Sequence, residues 1–233
     1  MSKTVITIPT YNERRNIELL IPKLFDALKD CHVLIVDDNS PDGTGEFIQS
    51  LKLPNLHLLS RKSKLGLGSA YLDGFGWVMK NIDPDIIIQM DADFSHDVSL
   101  LPRMAELIQN GYDLVVASRY VEGGGVKGWP LHRDMISRGA NFLTRKMLGL
   151  KVKDATSGFK AWSKRAIDNI LESHLSSKGF EYQIESLLVT SRANMKTIEV
   201  PYTFIDRQTG KSKLSTKDMM AFAVSVFRMA ARG

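Results

Sequence analysis

Cysteine occurs once in the 233 residues, at Cys31. A single thiol excludes a disulfide framework and any zinc site built from cysteines. It also predicts a reducing, cytoplasmic setting. Long apolar runs are missing too. No stretch approaches the ~18 apolar residues of a membrane span, and the first residues, Met-Ser-Lys-Thr-Val-Ile-Thr-Ile-Pro, hold no apolar core of signal-peptide length. The expectation is a chain that does not cross a bilayer but can lie on one. Zinc-finger spacings and aromatic RNA-binding motifs are absent, so nucleic acid is not an expected partner. The histidines at 32, 57, 96, 132 and 174 are scattered and lack the helical spacing of a zinc hydrolase.

What is present is ordinary globular composition, 43% hydrophobic and 24% charged. The length suits one domain, 1–233, with a core that needs no staples. Charge is unevenly spread. Residues 1–118 carry 11 Lys/Arg against 16 Asp/Glu, a net −5, and residues 119–233 carry 20 against 10, a net +10. A basic second half points to an anionic partner there, with a solvated basic face as the plainer alternative.

Short apolar runs at 4–8, 33–36, 56–59, 86–90 and 114–117 read as strands. Between them lie helical patterns at 16–29, 44–51, from Gly66 to about 79, and 100–108. This alternation predicts an α/β fold, a Rossmann-like, mostly parallel sheet flanked by helices. Gly123, Gly124, Gly125 and Gly128 mark a mobile loop. Beyond it come helices at 136–148, 164–171 and 182–192, strands at 198–200 and 202–205, and a last amphipathic helix over 215–233, together a C-terminal helical elaboration.

In an open parallel sheet, ligands bind beyond the carboxyl ends of the strands. The polar residues there are Pro9-Thr10-Tyr11-Asn12-Glu13, Asp37-Asp38, Asp91-Ala92-Asp93 and Ser118-Arg119. Carboxylates crowded along one rim call for a cation. Asp91 and Asp93, at i and i+2, offer oxygen ligands suited to Mg²⁺ or Mn²⁺; alone, the pair also fits a simple strand-end turn. Gly43-Thr44-Gly45 and Gly66-Leu67-Gly68 lack the further residues of a dinucleotide or P-loop motif and read as turns that open helices. In the basic half, Arg119 at a strand end and the loop from Arg207 to Lys213 are the candidates for phosphate contacts.

These residues resemble the family 2 glycosyltransferases of the GT-A fold, in particular the polyprenol- or dolichol-phosphate mannosyltransferases. The matching segments are Ile8-Pro9-Thr10-Tyr11-Asn12-Glu13, Val36 to Thr44, Leu65 to Gly68, Met90 to His96, and Ser118-Arg119-Tyr120. Further on come Gly128 to Arg133, Ile136 to Asn141, Thr156 to Phe159, and Phe204-Ile205-Asp206-Arg207 with Lys213. The resemblance implies that Pro9, Tyr11, Glu13, Val36 and Asp38 hold the nucleotide. It implies that Asp91, Ala92 and Asp93 bind the diphosphate through the metal, and that Arg119 and Arg133, with Ser137, cradle the lipid phosphate. Arg207 and Lys213 would close over the diphosphate.

The implied reaction is inverting transfer of mannose from GDP-mannose to a polyprenyl (dolichyl) monophosphate, with UDP-glucose or another acceptor as the same-class alternative. A non-catalytic nucleotide-sugar-binding domain is the rival from another class. The implied place is the cytoplasmic face of a membrane, reached peripherally or through a membrane-anchoring subunit, as in some members of the family. The C-terminal helix carries Ser215 as a plausible N-cap and one apolar face through Met219, Phe222, Ala223, Val226, Phe227 and Ala230. That face can serve a lipid surface, with Lys217, Arg228 and Arg232 toward headgroups, or the domain's own core.

Overall fold

The computed structural model describes residues 2–206 and 216–231. The first half alternates as the apolar pattern predicts. It runs β1 (Thr4–Thr10), α1 (Arg14–Ala27), β2 (His32–Asp37), α2 (Thr44–Leu51), β3 (Leu56–Ser60), α3 (Leu67–Asn81), β4 (Ile86–Gln89), α4 (Leu101–Gln109) and β5 (Leu114–Ser118). Then follow β6 (Gly125–Lys127), α5 (Leu131–Leu148), β7 (Lys160–Ser163), α6 (Lys164–Glu172), α7 (Tyr182–Arg192), β8 (Thr197–Pro201), β9 (Thr203–Ile205) and α8 (Thr216–Ala231).

Seven strands form one sheet in the order β3-β2-β1-β4-β7-β5-β8. All neighbours are parallel except β7, which runs antiparallel to both β4 and β5. The chain builds outward from β1 through β2 to β3, then returns to place β4 on the other side of β1. That reversal opens a crevice past the carboxyl ends of β1 and β4, the general ligand position in such sheets.

Alternate side chains of β1 feed two cores. Ile6 and Ile8 pack with Ile17, Leu20 and Leu24 of α1 on one face, and Val5 packs with Tyr71, Phe75 and Val78 of α3 on the other. Coverage on both faces explains why the strands read as continuous apolar runs. Strand β1 also runs through Pro9, where the sequence pattern had it ending. Pairing to β4 stops at Thr7, so the missing N–H of Pro9 removes no bond that the sheet needs.

The second half departs from the pattern in three places. Strand β7, unforeseen, wedges between β4 and β5. The glycine stretch expected as a mobile loop supplies β6, which pairs in parallel with β9 as a separate two-stranded sheet. Helix α5 begins at Leu131 rather than 136. Helix α8 packs along α5, with Val226 and Met229 buried in the domain core while Val224 and Phe227 stay exposed. So α8 is anchored on the domain by one face and leaves another open. Among the described residues, no helix is long and apolar enough to cross a membrane.

Candidate active site

The ends of β1 and β2 are tied together before any ligand arrives. Asp37 accepts from Thr10 Oγ1 at 2.8 Å, Ser40 Oγ at 2.6 Å and Ser40 N at 2.9 Å. Ser40 Oγ in turn accepts from the Asn12 N–H at 2.9 Å. Asn12 and Asn39 take left-handed conformations that asparagine tolerates better than most residues. Asp37 is thus the clasp of the two loops.

Asp38 is buried, and its Oδ1 accepts from Arg61 Nη1 at 2.7 Å. Burial raises its pKa, Arg61 opposes that rise, and neighbouring Asp37 adds to it. Arg61 also donates to Ser69 Oγ at 2.7 Å and lies 3.0 Å from Asp73. Sequence reading missed Arg61 altogether. Tyr11 lies under Lys64, whose Nζ is 4.8 Å from the ring centre, and Glu13 accepts from Asn16 Nδ2 at 2.7 Å. Val36 turns its side chain into the core against α3, so a nucleotide contact at this position would come from its backbone. Ala92 likewise turns its methyl into the other core.

Asp91 and Asp93 lie on the loop that leaves β4. The Asp93 carboxylate accepts from the Ser95 N–H at 3.0 Å. Tyr71 donates to Asp91 Oδ1 at 3.4 Å; burial first, and Asp91 next, raise the tyrosine's pKa, so it stays a neutral donor. His96 braces the same loop. Its Nδ1 accepts from the Asp91 N–H at 3.0 Å, which puts the ring proton on Nε2, 3.9 Å from Asp91 Oδ2. The ring stacks on Phe159 at 4.9 Å and 7°. Among the described residues, no three His, Cys, Asp or Glu side chains converge as a ready metal cage. Two carboxylates on one loop do fit an ion such as Mg²⁺, which takes one or two carboxylates and completes its shell with phosphate and water.

The basic side of the crevice is built around β5. Arg119 is buried and forms a bidentate pair with Asp154, Nε to Oδ2 and Nη2 to Oδ1, both 2.7 Å, with Thr156 Oγ1 a further acceptor at 2.7 Å. Burial works against the charge, but Asp154 more than offsets it and holds the guanidinium above its ordinary range. The guanidinium lies 5.1 Å from the Tyr120 ring centre and 5.8 Å from those of Trp129 and Phe204. Arg133 sits 4.3 Å over the Trp129 ring and donates to Asp206 at 2.9 Å. Ser137 Oγ and Tyr120 OH are 2.8 Å apart. The structure therefore gathers Arg119, Arg133 and Ser137 around one aromatic cluster. Arg207 and Lys213 lie outside the described residues.

Under both halves runs a buried polar layer with no sequence signal. Lys160, wholly buried on β7, donates to the Gln183 carbonyl oxygen and to Gln183 Oε1, both at 2.8 Å. Burial lowers its pKa to about 7, against a smaller opposing pull from Asp154.

A family model described as glycosyl transferase family 2 matches residues 5–171. The chain belongs to that family. It is 38% identical over 234 residues to the polyprenol monophosphomannose synthase of Mycolicibacterium smegmatis, covering 99% of this chain and 88% of the relative. It is 40% identical over 215 residues to the undecaprenyl-phosphate mannosyltransferase of Micrococcus luteus, covering 91% and 88%. Among solved structures, glucosyl-3-phosphoglycerate synthase from Mycobacterium tuberculosis superposes with a TM-score of 0.69 at 19% identity, over 98% of this chain and 78% of that one. That likeness establishes the GT-A glycosyltransferase fold. That synthase has been solved with UDP and Mn²⁺ or Mg²⁺ in place.

Proposed function

We propose that the protein transfers mannose, with inversion, from GDP-mannose to a polyprenyl (dolichyl) monophosphate at the cytoplasmic face of a membrane. The observation that carries this reading is one helix. Helix α5 brings Arg133 and Ser137 to the arginine-aromatic cluster, and the same helix leaves Leu131, Met135, Ile136, Phe142 and Leu143 exposed. Exposed Val224 and Phe227 lie on α8, which packs beside it. An anionic head with a hydrocarbon tail matches that juxtaposition, and an apolar face flanked by Arg138, Arg145 and Lys146 suits an anionic lipid surface.

In this reading Asp38 and Arg61 line the nucleotide side, together with Pro9, Tyr11 and Glu13. A carboxylate at Asp38 suits the adjacent donors of guanine. Mg²⁺ or Mn²⁺ held by Asp91 and Asp93 would neutralise the charge that builds on the leaving diphosphate. Arg207 and Lys213 would close over the same group. Arg119 and Arg133 hold the acceptor phosphate and reduce its repulsion by the donor. The acceptor is already an anion near neutral pH, so alignment behind the anomeric carbon matters more than a strong base. The paired state of Arg119 fits this role, because Asp154 fixes its guanidinium in place and leaves it positively charged.

The test is turnover of labelled GDP-mannose with and without polyprenyl phosphate, with UDP-glucose as the competing donor. Lipid-dependent release of GDP supports the reading. Transfer from UDP-glucose alone, or nucleotide release that ignores the lipid, overturns it.

A further inference from the structure

Arg133, Ser137 and Asn141 follow one another along α5 at steps of four residues, so they lie on one stripe of the helix. Asn141 is the buried member of the three. Among the 18 residues of α5, the buried ones are Asn141 and Thr144, and both are polar. The helix is seated without a buried apolar side chain of its own. Hydrophobic contact is non-directional in any case and sets rotation and register weakly. A doubly hydrogen-bonded amide sets both.

Both ends of the Asn141 amide are in use. Its Nδ2 donates to the Lys153 carbonyl, and its Oδ1 accepts from the Ala155 N–H at 2.9 Å. These are the residues immediately before and after Asp154. From another side, Glu199 on the edge strand β8 accepts from the Lys153 N–H at 2.6 Å and the Asp154 N–H at 3.0 Å. The backbone around Asp154 is thus gripped by α5 and by β8 at once. The Asp154 carboxylate in turn holds Arg119 by its backbone N–H, Nε and Nη2, at 3.0, 2.7 and 2.7 Å.

Two walls are therefore held at a fixed offset. One is Arg119, placed by Asp154. The other is Arg133 with Ser137, placed by the register of α5. We infer that Asn141 is a positioning residue for the acceptor phosphate: it registers α5 against Asp154, so that Arg119 and the Arg133–Ser137 stripe close on one phosphate. This rests on the reading that the arginine-aromatic cluster takes a lipid phosphate. The clamp needs a donor for Lys153 and an acceptor for Ala155 on one short side chain. Aspartate lacks the donor, and an apolar residue lacks both.

Three variants test this. Asn141→Asp keeps the acceptor, loses the donor and sets a carboxylate against the Lys153 carbonyl. Asn141→Ala loses both bonds and leaves no buried charge. Thr144→Ala is the control, because it loosens the seat of the same helix and leaves the clamp in place. Turnover of GDP-mannose against a short-chain, water-soluble prenyl phosphate separates phosphate binding from membrane contact. Calorimetry with GDP in Mn²⁺ follows the donor side, and thermal unfolding follows the fold. Both Asn141 variants are expected to raise the acceptor KM about ten-fold, the scale of one well-placed hydrogen bond, with GDP affinity unchanged. Thr144→Ala should lower the melting temperature and leave that KM in place. Asn141→Ala should cost little more once Arg133 is replaced by alanine, because the wall that it places has then lost its charge.

An acceptor KM at the parent value in both Asn141 variants overturns the inference. So does a rise that Thr144→Ala reproduces at equal loss of stability, or one that adds in full to the effect of Arg133→Ala. If Asn141→Asp fails to fold, Asn141→Ala decides. A parent protein whose turnover ignores prenyl phosphate refutes the acceptor reading and the inference with it. A lipid-dependent parent with insensitive Asn141 variants refutes the inference alone.

Discussion

Arg119 and Asp154 form a buried, two-pronged ion pair, with both N–O distances 2.7 Å and Asp154 entirely shielded from solvent. The pair spans the end of β5 and the segment that leads into β7. It thereby sets the position of a guanidinium that lies beside the rings of Tyr120, Trp129 and Phe204.

Asp154→Asn should therefore be a severe variant. It leaves a buried guanidinium without its counter-charge, a loss on the order of 3–5 kcal/mol. Urea denaturation should show that loss, and residual folded protein should show a raised KM for the lipid acceptor. A midpoint within experimental error of the parent would mean that the pair contributes little.

Asp93→Asn keeps size and removes a charged ligand. Turnover should fall at least about 100-fold, the scale for losing a key electrostatic stabiliser, and excess chelator should mimic the effect in the parent. Full activity in chelator would rule out a metal on Asp91 and Asp93.

Arg133→Ala and Asp38→Ala should separate the two halves of the site. Arg133 is over a third exposed on its side chain and pairs with Asp206, so its removal spares the fold. It should raise the acceptor KM while GDP binding holds. Asp38→Ala should weaken GDP binding with acceptor saturation little changed. The reverse pattern would exchange the assigned roles.

Lys160 predicts a pH dependence with a definite sign. Its pKa drops on folding from an ordinary 10.5 to about 7, so the unfolded chain binds the proton more tightly between those values. Stability from this group should rise as pH climbs from about 7 toward 10.5 and be flat below that window. Comparing urea midpoints of the parent and Lys160→Met at about pH 7 and about pH 9 isolates the effect. A difference that does not grow at the lower pH would show that burial leaves the lysine charge undisturbed.

The exposed face of α5 should carry membrane binding. Phe142→Ser with Leu143→Ser should reduce sedimentation with anionic vesicles and leave GDP affinity intact. Truncation before α8 is the poorer probe, because Val226 and Met229 are part of the core. Unchanged sedimentation of the double variant would move the lipid contact elsewhere.

The first half of the fold is readable because buried parallel strands such as Ile86–Gln89 and Leu114–Ser118 are continuous apolar runs, separated by turn residues. Strand β7 hides because Lys-Ala-Trp-Ser carries a lysine whose hydrogen-bond acceptors, both on Gln183, lie 23 residues along the chain. The three residues of β6 are too few to show a period. For the site, the rule that ligands gather at strand ends singles out Asp38, Asp91, Asp93 and Arg119, whereas the core-facing side chain of Val36 follows only from the packing against α3. Arg61, Asp154 and Gln183 escaped notice because each acts through a partner 23 or more residues away, which local spacing does not encode.

The late strand β7 also dictates an order of assembly. Strands β4 and β5 are adjacent in sequence but cannot touch, since their shared neighbour is synthesised only at residues 160–163. A nascent chain that ends after Ser118 can build the sheet from β3 through β4, yet it has nothing to dock β5 against. Pairing across so long an intervening loop is slow to nucleate, and an open β4 edge is exposed in the meantime. The two parts of the sheet, β3 to β4 and β5 with β8, therefore become one only when a single four-residue strand closes the gap between them.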